Sequence, residues 1–404
     1  VSKTILSLGD YGATGLADSV RPQLHTWHQR GAEIWQLVHG YNGWCGGVNR
    51  NDYPWAERIL PIFGQNAQEM RFGASLLHEA VKLSQADFVV TGLDIWMTAY
   101  LSMPEHPMFG LSNDAIDILR HERRRFKHVA YIPIDGAVGG RHLPDGMADV
   151  VRGYDVPVTY SRFGQQILKN EGIDVPFIPI AHDPQHFHPG SKNEARKKLN
   201  LPVDKFIIAM VGTNQYRKQW GVFFDAASRL AKAHSDVLII PWTTWNAKIL
   251  GGAEIGPLIA RSGVGEQVVN PGAAVGSLPD VDMGNFYRAI DLLCLVTIGE
   301  GAGLPPIRAR ACGTPALVSD NTSNTEFAAD PRELIPCNGK MYDPIGSNLE
   351  RYLTDPDALY ERMEEFYASK DLRLEVGNKG AVAMQQYEVK NVMKLWDELL
   401  GDMT

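Results

Sequence analysis

The chain has 404 residues, 44% of them hydrophobic, and a net charge of −8 from 39 Lys and Arg against 47 Asp and Glu. That length exceeds one ordinary core and points to two domains of similar size, and the lack of any apolar run of roughly 18 residues excludes a spanning helix. The acidic balance argues against a nucleic-acid partner, and four widely spaced cysteines (Cys45, Cys294, Cys312, Cys337) with no C-x-x-C pair indicate neither zinc nor a disulfide framework.

The first apolar stretch, Thr4 to Leu8, is too short for a secretory signal and reads as a strand, so the chain is expected to stay in the cytoplasm. It runs into GDYGATGLAD, where Gly12 and Gly15 precede a helix through Leu24 to Gln29, a turn that lets backbone approach a ligand. The full G-x-G-x-x-G fingerprint is missing, which disfavours a nicotinamide dinucleotide. Glu33 to Val38 reads as a second strand, and His39 to Trp55, rich in Gly, Asn and aromatics, as a long surface loop that either carries binding or is simply mobile. Strand Asp87 to Leu93 ends beside Asp94 and Trp96. A helix over Ile116 to Phe126 then leads to strand His128 to Ile134, which ends at Asp135 beside Gly136, Gly139 and Gly140.

The dense basic run Arg120, Arg123, Arg124, Arg125 and Lys127 suits a helix C-terminus, with peripheral docking on anionic lipid or a phosphorylated acceptor as the alternative. Strands are also expected at Val156 to Tyr160 and Pro176 to Ile180. The polar, proline-bearing AHDPQHFHPGSKNE follows as the crossing into a second domain. Its His182, His186 and His188 lack a nearby carboxylate pair, so no metal is expected there.

A new cycle begins with strand Lys205 to Gly212, the turn NQYRKQWG and a helix through Phe223 to His234. VLIIPW, QVVNPG, DLLCLV and ALVS continue it as strands. Alternation in both halves means α/β, two doubly wound Rossmann-like domains facing each other across a cleft. After DLLCLV comes the richest stretch, EGAGLPPIRARACG, in which a strand delivers Glu300 to a glycine-rich loop at a helix start. Carboxyl ends of strands in such sheets bind ligands, and the N–H groups there suit an anion.

Arg217 and Lys218, in the turn after Gly212, offer a fork and a point charge for a diphosphate. Glu326, after ALVS, reads either as a helix-start acid or as a ligand contact, and the Asp280 and Asp282 pair as helix-start acids. Trp242 and Trp245, after a strand, could stack on a base or pack in the core.

Taken in order, PFIPIAHDPQHFHPG, the stretch EARKKLNLPVDKFIIAMVGTNQYRKQWG and FYRAIDLLCLVTIGEGAGLPPIRARACGTPALVSDNTSNTEF resemble the donor-binding half of glycosyltransferase family 4, retaining enzymes of the GT-B fold. The N-terminal half, with GDYGATGLAD and YIPIDG, is similar more loosely, as an acceptor domain would be. The resemblance implies an acceptor-binding domain over 1–184, a nucleotide-sugar-binding domain over 185–383, and a terminal helix, 384–404, returning to the first. It implies a nucleoside diphosphate sugar donor, an acceptor hydroxyl on a glycan, lipid-linked or small molecule, and no required metal or other cofactor.

By position, Arg217 and Lys218 fall where the family holds the diphosphate, and Glu300 where it contacts the transferred sugar. Gly301, Gly303 and Leu304 fall in the loop approaching sugar and phosphate, and Asp135 near the polar residue beside the anomeric centre. The family's second signature Glu, which holds the ribose, is replaced by Arg308, a group that donates to hydroxyls but cannot accept from them. A GT-B epimerase, a phosphorylase, or a nucleotide-sugar-binding protein with impaired catalysis are the alternative readings.

Overall fold

The computed structural model describes residues 2–12, 14–39, 53–62, 73–74, 76–105, 111–245, 251–270, 280–343 and 347–401. The sequence's long loop therefore lies, for residues 40–52 and with Cys45, outside the described residues. The chain divides into two compact units, Val1–Ala181 with Val389–Thr404, and His182–Glu388.

The first unit is built on a sheet of β1 (Thr4–Asp10), β2 (Glu33–His39), β3 (Ile59–Pro61), β4 (Phe88–Thr91), β5 (Lys127–Ile132) and β6 (Val156–Thr159), in the order β3-β2-β1-β4-β5-β6. Every pair is parallel, so both faces must be covered by helices, and the middles of the strands are accordingly mostly apolar and buried. The first helix, Gly15–Gln29, starts where Thr14 accepts the N–H of Ala17 through its hydroxyl. The C-terminal helix Val389–Leu400 packs in the same unit: Trp396 meets Trp27 edge-on with centroids 5.8 Å apart, and Asp397 accepts from Arg30 at 2.6 Å.

The second unit has the parallel order β11-β10-β9-β7-β8, with β7 (Phe206–Val211), β8 (Val237–Trp242), β9 (Leu292–Leu295), β10 (Ala316–Ser319) and β11 (Leu334–Ile335). β7 and β9 are buried at every residue. A buried ion pair fixes the helix Leu304–Ala311 against this sheet. Arg310 Nε donates to both oxygens of Glu333 at 3.0 Å, and Glu333 also accepts the N–H groups of Ala316 and Ala329 at 2.8 Å. An antiparallel hairpin, β12 (Cys337–Tyr342) and β13 (Glu350–Thr354), completes the unit. No helix among the described residues is long and apolar enough to cross a membrane.

The two doubly wound parallel sheets agree with the alternation in the sequence, and several details differ. Pro176–Ile180 is not a strand: Phe177 makes one bridge to Thr159, because Pro176 and Pro179 have no N–H to extend a ladder. The stretch at Val268 likewise makes a single bridge, to Ile239. The helix expected to Phe126 stops at Glu122, and its basic run turns back on the unit: Arg123 pairs with Asp155 at 2.6 Å, Arg125 with Glu122 at 3.1 Å and Arg120 with Glu105 at 3.2 Å.

Candidate functional site

In the second unit the residues after β7, β9 and β10 converge at the carboxyl ends of adjacent strands. Gly212 directly follows β7, and the turn behind it brings Lys218 back so closely that its Cε lies 3.6 Å from where a Cβ on Gly212 would sit. Arg217 and Lys218 both reach Oε1 of Glu300, the arginine Nη1 at 2.8 Å and the lysine Nζ in a short contact. Arg217 is aimed by two further bonds, Nε to Gln215 Oε1 at 3.0 Å and Nη1 to the Gly299 carbonyl at 3.1 Å. Its own carbonyl accepts the Ile298 N–H at 2.9 Å, which locks the β7 and β9 loops together.

Glu300 and Lys218 are 5% and 6% exposed. Burial alone would raise the Glu300 carboxyl, but Arg217 and Lys218 outweigh it and hold its pKa below the ordinary value. The result is a charged carboxylate held in place by two cations in a site nearly closed to water. Such groups are well placed to act on a polar ligand because their electrostatics are poorly screened.

The loop after β10 supports the Glu300 backbone. Thr322 Oγ1 accepts the Glu300 N–H at 2.9 Å, and Ser323 Oγ donates to the Glu300 carbonyl at 2.7 Å. Asn321 Nδ2 donates to the Thr297 carbonyl at 2.9 Å, and Ser319 Oγ accepts the Thr297 N–H at 2.8 Å. Thr322 has φ 45°, an uncommon left-handed conformation for a β-branched residue, which costs on the order of 1–3 kcal/mol. Its hydroxyl thereby meets the Glu300 amide. Next to it, Gly303 caps the helix Leu304–Ala311 with φ 76°, and a Cβ there would stand 3.3 Å from Asn324 Oδ1. The positive φ favours glycine, and any Cβ would also have to push the Asn324 side chain back by a few tenths of an ångström.

A second layer fixes the turn bearing the cations. Tyr216 donates its hydroxyl to Asp343 at 2.9 Å, and Arg351 Nε donates to the same carboxylate at 2.9 Å. Gln219 holds Thr354 of β13 with Nε2 at 2.8 Å. Sequence reasoning missed Thr322, Ser323, Tyr216, Asp343 and Arg351. The cluster of hydroxyl and amide side chains after ALVS was a signal for Thr322 and Ser323, and nothing local marked Tyr216, Asp343 or Arg351.

Of the residues singled out from sequence, Gly212, Arg217, Lys218, Glu300, Gly301, Gly303 and Leu304 meet in these loops. Glu326 lies one short helix further on, in Asn324–Phe327. Arg308 turns elsewhere: its guanidinium lies 4.6 Å over the Phe187 ring, with Nη2 3.9 Å from Asp280 Oδ1. Gly12, Gly15 and Asp135 belong to the first unit, at the carboxyl ends of β1 and β5, with β4 between those strands. Gly12 has φ 91° and gives its N–H to the Tyr53 hydroxyl at 3.1 Å. Trp242 is a core residue, packed 4.5 Å from Phe286. His182 is buried against the Met384 carbonyl at 3.0 Å, and among the described residues no group of three His, Cys, Asp or Glu could hold a metal ion.

No family model matches the chain. Over 163 residues it is 31% identical to D-inositol 3-phosphate glycosyltransferase from Mycobacterium bovis and from Mycobacterium tuberculosis, a match covering 38% of this chain and 32% of those proteins. The match thus spans about a third of the length of these relatives. Among solved structures, sucrose-phosphate synthase from Thermosynechococcus elongatus superposes with a TM-score of 0.75 at 16% identity, over 99% of this chain and 98% of that one. Anabaena HepE in complex with UDP and glucose superposes with a TM-score of 0.64 at 15% identity, over 98% and 99%. The chain shares the GT-B type of fold with these neighbours.

Proposed function

We propose that the chain is a glycosyltransferase moving a hexosyl unit from a nucleoside diphosphate sugar to an acceptor hydroxyl, with retention at the anomeric carbon. The observation that carries this reading is the convergence of Arg217 and Lys218 on one oxygen of buried Glu300, beside the Gly303 helix start. Two cations on one oxygen is the arrangement a diphosphate would take over, with Glu300 standing in for a phosphate oxygen until the donor arrives. The relative whose name specifies a glycosyltransferase and the neighbour described with UDP and glucose support the same choice of ligand.

In this mechanism the donor diphosphate displaces Glu300 from Arg217 and Lys218. The freed carboxylate accepts hydrogen bonds from the sugar hydroxyls and orients the ring. As the bond between the anomeric carbon and the diphosphate breaks, charge develops on the leaving oxygens, and the two cations with the loop N–H groups stabilise it. The acceptor oxygen bonds to the same carbon, and Asp135 of the first unit is the group we assign to its proton. Arg308, packed on Phe187, donates to hydroxyls but accepts from none, so the ribose contact falls to a carboxylate such as Asp280 or Glu326.

The test is donor turnover with a panel of nucleoside diphosphate sugars, with the anomeric configuration of the product read by NMR. Lys218→Ala and Glu300→Gln are each expected to lower kcat by about 100-fold or more. Undiminished transfer in both removes the assignment. Donor conversion without acceptor would indicate an epimerase, and dependence on free phosphate a phosphorylase.

A further inference from the structure

Strand β9 carries a buried carboxylate at each end. Glu300 follows its carboxyl end, and Asp291 immediately precedes its amino end. Asp291 Oδ1 takes Lys192 Nζ at 2.5 Å, while Oδ2 takes Arg196 Nη2 at 2.6 Å and the Ile207 N–H at 2.8 Å. One carboxylate again serves two cations. Arg196 is fully committed, since it also donates to the carbonyls of Ala289, Val203 and Lys205 at 2.8, 3.0 and 2.9 Å.

Arg373, from the helix Lys370–Met384, adds a third cation within electrostatic reach of Asp291 and Lys192. It lies 5.1 Å over the Phe206 ring and is anchored through Nη1 to the carbonyls of Phe366 and Tyr367. These groups line a surface cavity of about 790 Å³, in the range of small-molecule sites. Cys312 to Pro315, just past the helix that Gly303 begins, also line it. Around it stand six cations and three carboxylates, Asp204, Asp236 and Asp291, of which Asp236 already accepts the Tyr367 hydroxyl at 2.8 Å.

Two buried arginines of this unit have a carboxylate each, Arg310 with Glu333 and Arg351 with Asp343. At Asp291, as at Glu300, one carboxylate faces more than one cation. Burial pushes both the Lys192 ammonium and the Arg373 guanidinium below their ordinary pKa values, against the pull of Asp291. An anion entering the cavity would relieve that penalty, whereas a neutral or cationic ligand would not.

We propose that this cavity is a second anion site, which takes a small phosphate-bearing molecule between Lys192 and Arg373. A lysine beside an arginine is the same pairing of point charge and planar fork that Lys218 and Arg217 form beyond the other end of β9. The inference stands independently of the sugar-transfer reading, because it rests on the clustered cations and the space at the opposite end of β9.

The test is isothermal titration of the full chain with inorganic pyrophosphate at low, fixed ionic strength. Two bound molecules per chain are expected. Lys192→Gln and Arg373→Gln should each weaken one class of binding by about tenfold or more and leave the other unchanged, and Lys218→Ala should do the reverse. If Arg373→Gln melts early without pyrophosphate, having lost its carbonyl and ring contacts, Lys192→Gln alone decides. A single class that Lys218→Ala removes and Lys192→Gln leaves intact overturns the proposal. So does an equal loss in all three variants, which would mean unspecific attraction to positive charge.

Discussion

The two ends of β9 make the same electrostatic arrangement from different materials. At Glu300 both cations come from consecutive residues on one loop, and the surrounding backbone is glycine and hydroxyl-bearing side chains. At Asp291 the three cations come from two separate helices, Lys192 and Arg196 from Lys192–Lys198 and Arg373 from Lys370–Met384, and both arginines are held by backbone carbonyls. A site built on one loop can change its partner without disturbing the core. A site tied to Ala289, Val203 and Lys205 cannot give up its carboxylate so freely.

The sharpest way to break that comparison is to remove each acid. Asp291→Ala leaves Arg196, 2% exposed, without its counter-ion and the Ile207 amide without its acceptor. A loss of about 3–5 kcal/mol of stability is expected, read from urea unfolding. Glu300→Gln should lose less, since Gln keeps a carbonyl oxygen for both cations and Arg217 is a quarter exposed, although Lys218 stays buried with no charge to meet it. Equal destabilisation by both would show that Glu300 is as structural as Asp291.

The next effect is catalytic. Lys218→Ala is expected to cost about 3 kcal/mol of transition-state stabilisation in donor turnover, whereas Lys192→Gln, at the other end of the strand, should leave kcat within twofold or so. A turnover loss in Lys192→Gln as large as in Lys218→Ala would join two sites that are separate here.

A smaller contrast concerns acid. The folded pKa of Glu300 lies below its unfolded value, so its contribution is fully present above the ordinary glutamate pKa of about 4.3 and is lost as pH falls through the depressed one. In Glu300→Gln that part of the acid destabilisation should vanish, and the stability curve below about pH 4 should flatten relative to the parent. A curve of unchanged slope would mean that the carboxylate is no better stabilised folded than unfolded.

Most of the fold was legible because parallel strands buried on both faces must be apolar runs, as LLCL of β9 and FIIAMV of β7 are. Short or edge elements were not. β11 has two residues, and β12 alternates half-buried and exposed positions with no fully buried one to mark it as a core strand. The Glu300 site was legible because its charges are close in sequence and flanked by glycines. Asp291, Lys192 and Arg373 were invisible, since nothing local in the chain marks residues that only the tertiary fold brings together. Arg308 was visible as a departure, but its resting place on Phe187 depends on a segment more than a hundred residues earlier.

The least expected effect on stability, and the most telling for how the Glu300 loop is held, lies at Thr322. Glycine accommodates φ 45° without strain, so Thr322→Gly should regain about 1 kcal/mol of backbone energy. It also removes the hydroxyl that accepts the Glu300 N–H, a bond worth about 1 kcal/mol. The two nearly cancel, and the urea midpoint should barely move. Turnover should nonetheless fall, because the glycine frees the backbone that sets the angle of Glu300 toward Arg217 and Lys218. A variant as active as the parent would mean that Ser323 and Asn321 alone position the carboxylate, and that the strained threonine serves folding rather than the site.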